Sequence, residues 1–170
     1  MIAIKHLFRF ACFFFAFAAF AAVGTPAPDF GWDSAGYKIN SLKGLRGSSV
    51  FLLVARSPRN RAFVEQVKKM KELYQEFAAR KVVCAAAFLE DAGGRIPSDI
   101  PFAIASNGPQ VIADYGVRDS FNVIVIGPDG NIDLQSNKVL PATRLRDLLI
   151  NTFAVQSEER SPQPPNTEQQ

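Results

Sequence analysis

The side chains best suited to chemistry lie in FLLVARSPRNRAF, residues 51–63. Arg56, Arg59 and Arg61 place three guanidinium groups where an apolar run ends and a helix-like pattern begins. The amides at a helix N-terminus are free and carry partial positive charge, which favours anions. A guanidinium group beside them can hold a carboxylate, sulfate or phosphate through paired hydrogen bonds. Residues 56–61, here called the elbow, are therefore a candidate binding site for an anion or a partner. The alternative is that these arginines are ordinary solvated charges.

The candidate set in the elbow consists of Arg56, Ser57, Arg59, Asn60 and Arg61. Ser57 is the only hydroxyl among them, and a serine nucleophile requires a base, usually histidine, to take its proton. The single histidine of the chain, His6, lies in the N-terminal leader described below. Without histidine, a zinc site would also lack one of its usual ligands. No phosphate-binding loop of the G-x-x-x-x-G-K type is present. The sequence predicts no catalytic residue, no metal site and no cofactor, so the protein is not expected to be an enzyme.

The first 24 residues have the three regions of a secretory signal peptide. Lys5 and Arg9 precede an apolar run at 10–23, and small residues follow. We predict cleavage near Ala21 to Gly24 and a secreted or periplasmic protein. The apolar run is shorter than the roughly 20 residues needed to cross a bilayer, so no stable membrane span is expected after cleavage. A retained signal anchor is the alternative.

Removal of this leader changes the available chemistry. Of the 19 basic residues, Lys5 and Arg9 belong to the leader, which leaves 17 against 16 acidic residues. That balance gives no reason to expect nucleic-acid binding. Cys12 is lost as well, so Cys84 is the one remaining cysteine and no internal disulfide can form. Cys84 is interpreted as a small core residue in a buried strand, because a reactive thiol would need exposure and a lowered pKa.

Residues 49–154 are predicted to form one domain. An irregular segment at 25–48, with a short edge strand near Tyr37 to Ile39, precedes it, and a disordered, proline-rich tail at 155–170 follows. An apolar stripe at helical spacing predicts a helix after the elbow, with Ser57 as its cap and Pro58 at its first position. The stripe consists of Phe63, Val67, Met70, Tyr74 and Phe77. The other predicted elements are strands at Ser49–Ala55, Lys81–Phe88, Phe121–Ile126 and Asn131–Gln135, helices at Gly108–Tyr115 and Ala142–Phe153, and a loop from Glu90 to Ile104.

The order of these elements predicts the architecture. A strand, a helix and a second strand with a long connection imply a parallel pair with a right-handed crossover, and the later hairpin adds antiparallel strands. The expected fold class is α/β, with three layers and a mixed central sheet of about four to five strands flanked by helices. This plan, βαβ followed by ββα, is that of thioredoxin.

Two stretches carry a closer resemblance. YGVRDSFNVIVIGPDGNIDLQSNKVLPATRLRDLLIN, residues 115–151, is similar to the second half of thioredoxin-like proteins. Within it, FNVIVIGPDGNIDLQSN, residues 121–137, together with FLLVARSPRNRAFVEQ, resembles the cysteine-free thioredoxin-like domain of unknown function found in secreted bacterial proteins. The same domain occurs in the animal sushi-repeat-containing and down-regulated-by-oncogenes matrix proteins. The resemblance spans roughly Ser49 to Asn151 and is most specific at Gly127, Asp129 and Gly130.

Departures from the redox members of this fold determine the expected function. Thioredoxins keep two cysteines near the start of the first long helix and peroxiredoxins keep one nearby, whereas residues 56–66 contain none. Without a sulfur nucleophile, the elbow cannot carry out thiol exchange. The position of the thioredoxin cis-proline, which faces the active site, falls at about Phe121, and Phe121 therefore joins the candidate binding set.

The resemblance implies an exported, non-catalytic binding or scaffolding domain whose contact surface is the degenerate active-site face. Its expected partner is another exported protein or an anionic glycan. Two alternatives stay open. The first is a thiol oxidoreductase or redox sensor that uses Cys84, and the second is an adhesion module for anionic glycans, which the animal relatives suggest by resemblance.

Overall fold

The computed structural model describes residues 24–34, 38–90, 96 and 98–160. The predicted signal peptide, which includes His6 and Cys12, lies outside the described residues except for Gly24. Within the part that the structure describes, no helix is both long enough and apolar enough to cross a membrane.

Two small strands precede a central sheet of five. The small strands, β1 (Gly31–Ser34) and β2 (Lys38–Ser41), pair antiparallel. The central sheet consists of β3 (Val50–Ala55), β4 (Val83–Phe88), β5 (Phe102–Ile104), β6 (Phe121–Ile126) and β7 (Ile132–Ser136), which lie side by side in the order β5, β4, β3, β6, β7. The helices are α1 (Arg61–Lys71), α2 (Tyr74–Ala79), α3 (Gly108–Asp114) and α4 (Ala142–Arg160), with a short 3-10 helix at Leu42–Leu45.

β3 is the central strand, and all six of its residues are buried. It pairs parallel with β4 and antiparallel with β6, so that Leu52 lies opposite Ala85 on one side and Ile124 on the other. Successive side chains of a strand point to opposite faces. Phe51 therefore packs in the core layer that includes α1 and α4, and Leu52 packs in the layer that includes α3 and β1. The predicted three-layer α/β fold with a mixed central sheet is confirmed.

One strand was missed because it is short. β5 lies at the end of the segment predicted as a loop, Glu90–Ile104, and that prediction is wrong there. Cys84 of β4 lies opposite Phe102 in a parallel ladder. Three residues are too few to show the alternation that identifies a strand in a sequence. The segment at 25–48 similarly contains β1 in addition to the predicted edge strand, which is found as β2; Tyr37 lies outside the described residues.

The helix after the elbow is divided in two. α1 ends at Lys71 and α2 begins at Tyr74, and Leu73 between them leaves the helical conformation with φ −109° and ψ 8°. This break allows Leu73, which is 1% exposed, to enter the core beside Phe77. The predicted apolar stripe faces the core, except that Tyr74 is only half-buried.

α4 is longer than predicted. It continues to Arg160, past the expected end at Phe153, and so includes residues 155–160. No glycine or proline, the residues that disfavour helices most strongly, occurs before Pro162. The rest of the predicted tail, 161–170, lies outside the described residues.

A buried amide fastens α1 to the connection between β7 and α4. The Gln66 side chain is 0% exposed. Its Nε2 donates to the backbone oxygen of Leu140 at 3.2 Å, and the backbone N–H of Leu140 donates to Gln66 Oε1 at 2.7 Å. Both polar groups of Gln66 are thus paired, as a buried amide requires, and so are both backbone groups of Leu140.

Replacing Gln66 with leucine keeps the volume but leaves the backbone groups of Leu140 without partners. We expect Gln66→Leu to lower the free energy of unfolding by about 2 kcal/mol, because an unpaired buried polar group costs that much. Gln75→Leu, at an exposed position of α2, is the matched control and should change stability by less than about 0.5 kcal/mol. Urea unfolding measures both, and equal effects would contradict the role assigned to Gln66.

Candidate functional site

The elbow connects the end of β3 to the start of α1 and is fixed by backbone hydrogen bonds. The N–H of Arg56 donates to the carbonyl of Ser120, just before β6, at 3.3 Å. The N–H of Asn60 donates to the carbonyl of Ser57 at 3.1 Å, which closes a turn around Pro58. Pro58 is buried, whereas Arg56 and Arg59 are exposed. The turn therefore directs arginine side chains to solvent while its proline packs inward.

Asn60, and not Ser57, caps α1. Asn60 Oδ1 accepts hydrogen bonds from the N–H groups of Ala62 at 2.9 Å and Phe63 at 3.2 Å, and Asn60 Nδ2 donates to the carbonyl of Ser120 at 3.2 Å. The helix begins at Arg61, so the prediction of Ser57 as cap and Pro58 as the first helical residue is wrong. Asn60 is the cap because asparagine is at least as good a capping residue as serine, and because its side chain also donates a hydrogen bond to Ser120 in a second segment. The N–H groups of Ala62 and Phe63 are thus already occupied, so an anion at the elbow would depend mainly on the guanidinium groups.

The three arginines are not equivalent. Arg56 Nε donates to Glu90 Oε1 at 2.7 Å, and this hydrogen bond, with the charge of Glu90, raises the pKa of Arg56. Both side chains of the pair are exposed, by 68% and 54%. Arg59 and Arg61 are exposed, and among the residues that the structure describes neither has an ion-pair partner. Two of the three guanidinium groups are thus available for a ligand.

Phe121 lies beside the elbow but is not part of its surface. It is the first residue of β6 and lies opposite Ala55, the last residue of β3. Its side chain is only 2% exposed and packs in the core layer with Val123 and Val125. Alternation along the strand sends these three side chains inward. Phe121 therefore supports the elbow from below, and its prediction as a contact residue is corrected.

Cys84 lies in the core, away from the elbow. It is 5% exposed and lies opposite Phe51 in β3 and Phe102 in β5. Phe51 precedes the end of β3 by four residues, so Cys84 is about 13 Å from the end of that strand, where the elbow begins. Burial raises the pKa of Cys84 to about 12, which disfavours the reactive thiolate. Among the described residues, no cluster of three histidine, cysteine or carboxylate side chains could hold a metal ion.

Two grooves adjoin this region, and sequence reasoning missed both because each has a wall in the segment predicted as a loop. The α1 groove, of about 470 Å³, runs along α1 and is lined by Phe63, Val64, Val67, Lys68, Lys71, Ile96, Ser98 and Asp99. The strand-end groove, of about 740 Å³, lies at the carboxyl ends of β4 and β5 and is lined by Asp33, Phe88, Leu89, Glu90, Phe102, Ile104, Ala105, Ser106, Asn107, Gly108 and Pro109. The one feature of the sequence that could have indicated the α1 groove is the helical spacing of Val64, Lys68 and Lys71, which places them on one side of α1.

No family model and no curated protein matches the sequence. Solved structures do match. One is a Chlorobium tepidum protein named as the thiol:disulfide interchange protein DsbE, with a TM-score of 0.64 and 20% identity, covering 78% of this chain and 98% of that one. Another is the thioredoxin domain of a thiol-disulfide oxidoreductase from Bacteroides vulgatus, with a TM-score of 0.60 and 13% identity, covering 75% and 98%.

A third match is the reduced 2-Cys peroxiredoxin of Plasmodium vivax, with a TM-score of 0.57 and 18% identity, covering 81% of this chain and 98% of that one. At these identities the likeness establishes the fold, which is thioredoxin-like. The narrower resemblance, to the cysteine-free domain of secreted bacterial and animal matrix proteins, stays a prediction because no family model matches.

The cap of α1 can be tested by substitution. Asn60→Ala removes three side-chain hydrogen bonds, and we expect a loss of about 1 to 2 kcal/mol in the free energy of unfolding. Ser57→Ala, in the same elbow, should change it by less than about 0.5 kcal/mol. Thermal and urea unfolding of the two variants measure the difference. A larger loss for Ser57→Ala than for Asn60→Ala would restore the serine as the cap.

The burial of Cys84 predicts slow alkylation. At pH 8 a thiol with a pKa of about 12 has about a thousandfold less thiolate than an ordinary cysteine, and the thiolate is the reactive form. In a Cys12→Ser background, we expect native protein to react with iodoacetamide at least about a hundredfold more slowly than urea-unfolded protein. Mass spectrometry measures the rates. Similar rates in both states would show that Cys84 is accessible.

Proposed function

We propose that this chain is an exported, non-catalytic thioredoxin-like domain that binds an anionic partner through its elbow. The observation that carries the proposal is the presence of Arg59 and Arg61, exposed and without ion-pair partners among the described residues, at the turn into α1. The elbow holds guanidinium groups and no sulfur. Binding is therefore the chemistry that its side chains support best.

The main alternative is a thiol oxidoreductase or sensor based on Cys84. The names of matching structures favour it, since they include a thiol:disulfide interchange protein and a peroxiredoxin. The surroundings of Cys84 do not, because the side chain is 5% exposed and its pKa is raised by burial. A peroxide or disulfide substrate needs access to a thiolate. Binding at the elbow is favoured for that reason.

The strength of this binding depends on the number of charges that the partner supplies. A single exposed ion pair contributes about 1 kcal/mol at most, because water and salt screen it. Two free guanidinium groups, with Arg56 as a third once it leaves Glu90, therefore favour a partner with several carboxylate or sulfate groups. Both an acidic exported protein and an anionic glycan meet that requirement.

The test compares two sets of neutralised basic residues. One variant carries Arg56, Arg59 and Arg61→Ala. The control carries Lys43, Lys138 and Arg144→Ala, which likewise removes one ion-paired cation, Lys43 with Asp29, and two exposed ones. Full-length tagged proteins are used to recover partners from the native compartment, and binding to the recovered partner and to heparin is then measured against salt concentration.

We expect the elbow variant to lose its partner, or its retention on heparin, while the control behaves as wild type. Circular dichroism should show both variants folded, since all six positions are exposed. Retention of the same partner by both variants would locate the binding surface elsewhere. Peroxidase or thiol-exchange activity that disappears on Cys84→Ser would overturn the proposal in favour of the redox alternative.

A further inference from the structure

One face of α1 extends the positive charge of the elbow along a groove. Arg61, Val64, Lys68 and Lys71 follow one another at spacings of three, four and three residues, which places them on the same side of the helix. Ten residues of helix separate the first from the last, a length of about 15 Å. Val64, Lys68 and Lys71 line the α1 groove directly. The groove therefore begins near the elbow and follows α1 away from it.

The floor of this groove is apolar. Val64 is half-buried and Val67 is 6% exposed, and both lie above Phe63, which is 0% exposed. Ile96, 7% exposed, also lines the groove, and so does Ser98, whose Oγ accepts a hydrogen bond from the N–H of Ile100 at 3.0 Å. A volume of about 470 Å³ lies within the range of binding pockets.

The charges around the groove are unbalanced. Lys71 Nζ lies 2.5 Å from Asp99 Oδ2 and closes the far end of the groove with an ion pair. Lys68 is exposed and has no ion-pair partner among the described residues. Among the described residues that line the groove, Lys68 therefore leaves a net positive charge, and Arg61 adds a second uncompensated cation toward the elbow.

The strand-end groove has the opposite character. Among the described residues, the titratable side chains that line it are Asp33 and Glu90, no basic residue lines it, and Glu90 pairs with Arg56 of the elbow. Of the two grooves, the α1 groove is therefore the one that combines an apolar floor with an uncompensated positive charge in line with the elbow. A glycan would satisfy the charges but has no apolar side chain to place over Val64 and Val67.

We infer that the α1 groove receives a segment of the elbow's protein partner in which an apolar side chain is flanked by acidic residues. The apolar side chain lies over Val64 and Val67, and its acidic neighbours reach Arg61 and Lys68. This inference rests on the proposed function, since it identifies the chemistry of the partner that the elbow binds. It also predicts that charge alone is not sufficient for binding.

The probe is a fluorescein-labelled peptide with one leucine between two pairs of glutamates in a Gly-Ser background. Two matched peptides replace the leucine with serine or the glutamates with glutamine. Fluorescence anisotropy measures their binding to the full-length wild type, to Val64→Glu, to Lys68→Glu, and to Arg59→Ala/Arg61→Ala. Lys138→Glu makes the same change of charge at an exposed position outside the lining of the groove and is the control.

We expect Val64→Glu and Lys68→Glu each to lower the affinity for the leucine peptide by about tenfold or more, while Lys138→Glu changes that affinity by less than about twofold. The serine peptide should bind wild type about tenfold more weakly than the leucine peptide, because it lacks the apolar side chain. Circular dichroism checks that the variants fold, and NMR shifts at Val64 and Val67 in wild type locate the peptide independently.

The outcomes separate this inference from the proposed function. In one outcome, Arg59→Ala/Arg61→Ala lowers the affinity for the leucine peptide, Val64→Glu and Lys68→Glu do not, and the serine peptide binds wild type as well as the leucine peptide does. The elbow then binds anions, and the inference about the groove is wrong. In another outcome, the glutamine peptide binds wild type as well as the leucine peptide does, and Arg59→Ala/Arg61→Ala binds the leucine peptide with wild-type affinity. The proposed function then fails as well. No binding of the leucine peptide up to about 1 mM also overturns the inference.

Discussion

The burial of β3 on both faces and along both edges is the constraint on which the rest of the molecule depends. Its six residues have no exposed side, so its neighbours must cover two faces and pair with two edges. Hydrogen bonds continue past its end, from the N–H of Leu89 to the carbonyl of Ala55 and from the N–H of Glu90 to the carbonyl of Arg56. The last residue of the strand and the first of the elbow are consequently held in one position relative to β4.

Within this fixed frame, the chemistry of the elbow is decided by very few side chains. Thiol enzymes can have the same fold, but here Asn60 Oδ1 accepts hydrogen bonds from the N–H groups of Ala62 and Phe63 in the first turn of α1. A ligand bound at the elbow would then meet flexible guanidinium groups instead of these fixed backbone donors. Side-chain cations on a surface bind weakly one at a time and lose strength as salt increases. Recognition at such a site depends on the arrangement of several charges together.

The strong patterns of the sequence predicted most of the fold. The apolar run of β3, the β-branched run of β6 and the stripe on α1 each reflect burial, which is a property of a single segment. β5 could not be found in this way, because its three residues form a strand only through pairing with β4. The same limit applied to the helix cap. Ser57 and Asn60 are both good caps by type, and the choice between them is made by Ser120, 60 residues away from Asn60.

The candidate site was only partly accessible from the sequence for the same reason. The arginines of the elbow are visible as residue types, and their exposure follows from a turn next to a buried strand. The burial of Phe121 and the groove beside Lys68 depend on which surfaces meet, and one of those surfaces belongs to a segment without periodic pattern. The burial of a residue and the formation of a groove therefore depend on contacts between distant segments, which residue types alone do not predict.

Two side-chain amides, Asn60 and Gln66, attach successive turns of α1 to the backbone of different segments, at Ser120 and Leu140. A helix attached at two levels can neither rotate about its axis nor slide along it without breaking these hydrogen bonds. The backbone positions of its cationic residues are therefore fixed, although their side chains remain flexible. A partner bound on this face would have to match the spacing of those residues, and its binding would cost little helix entropy.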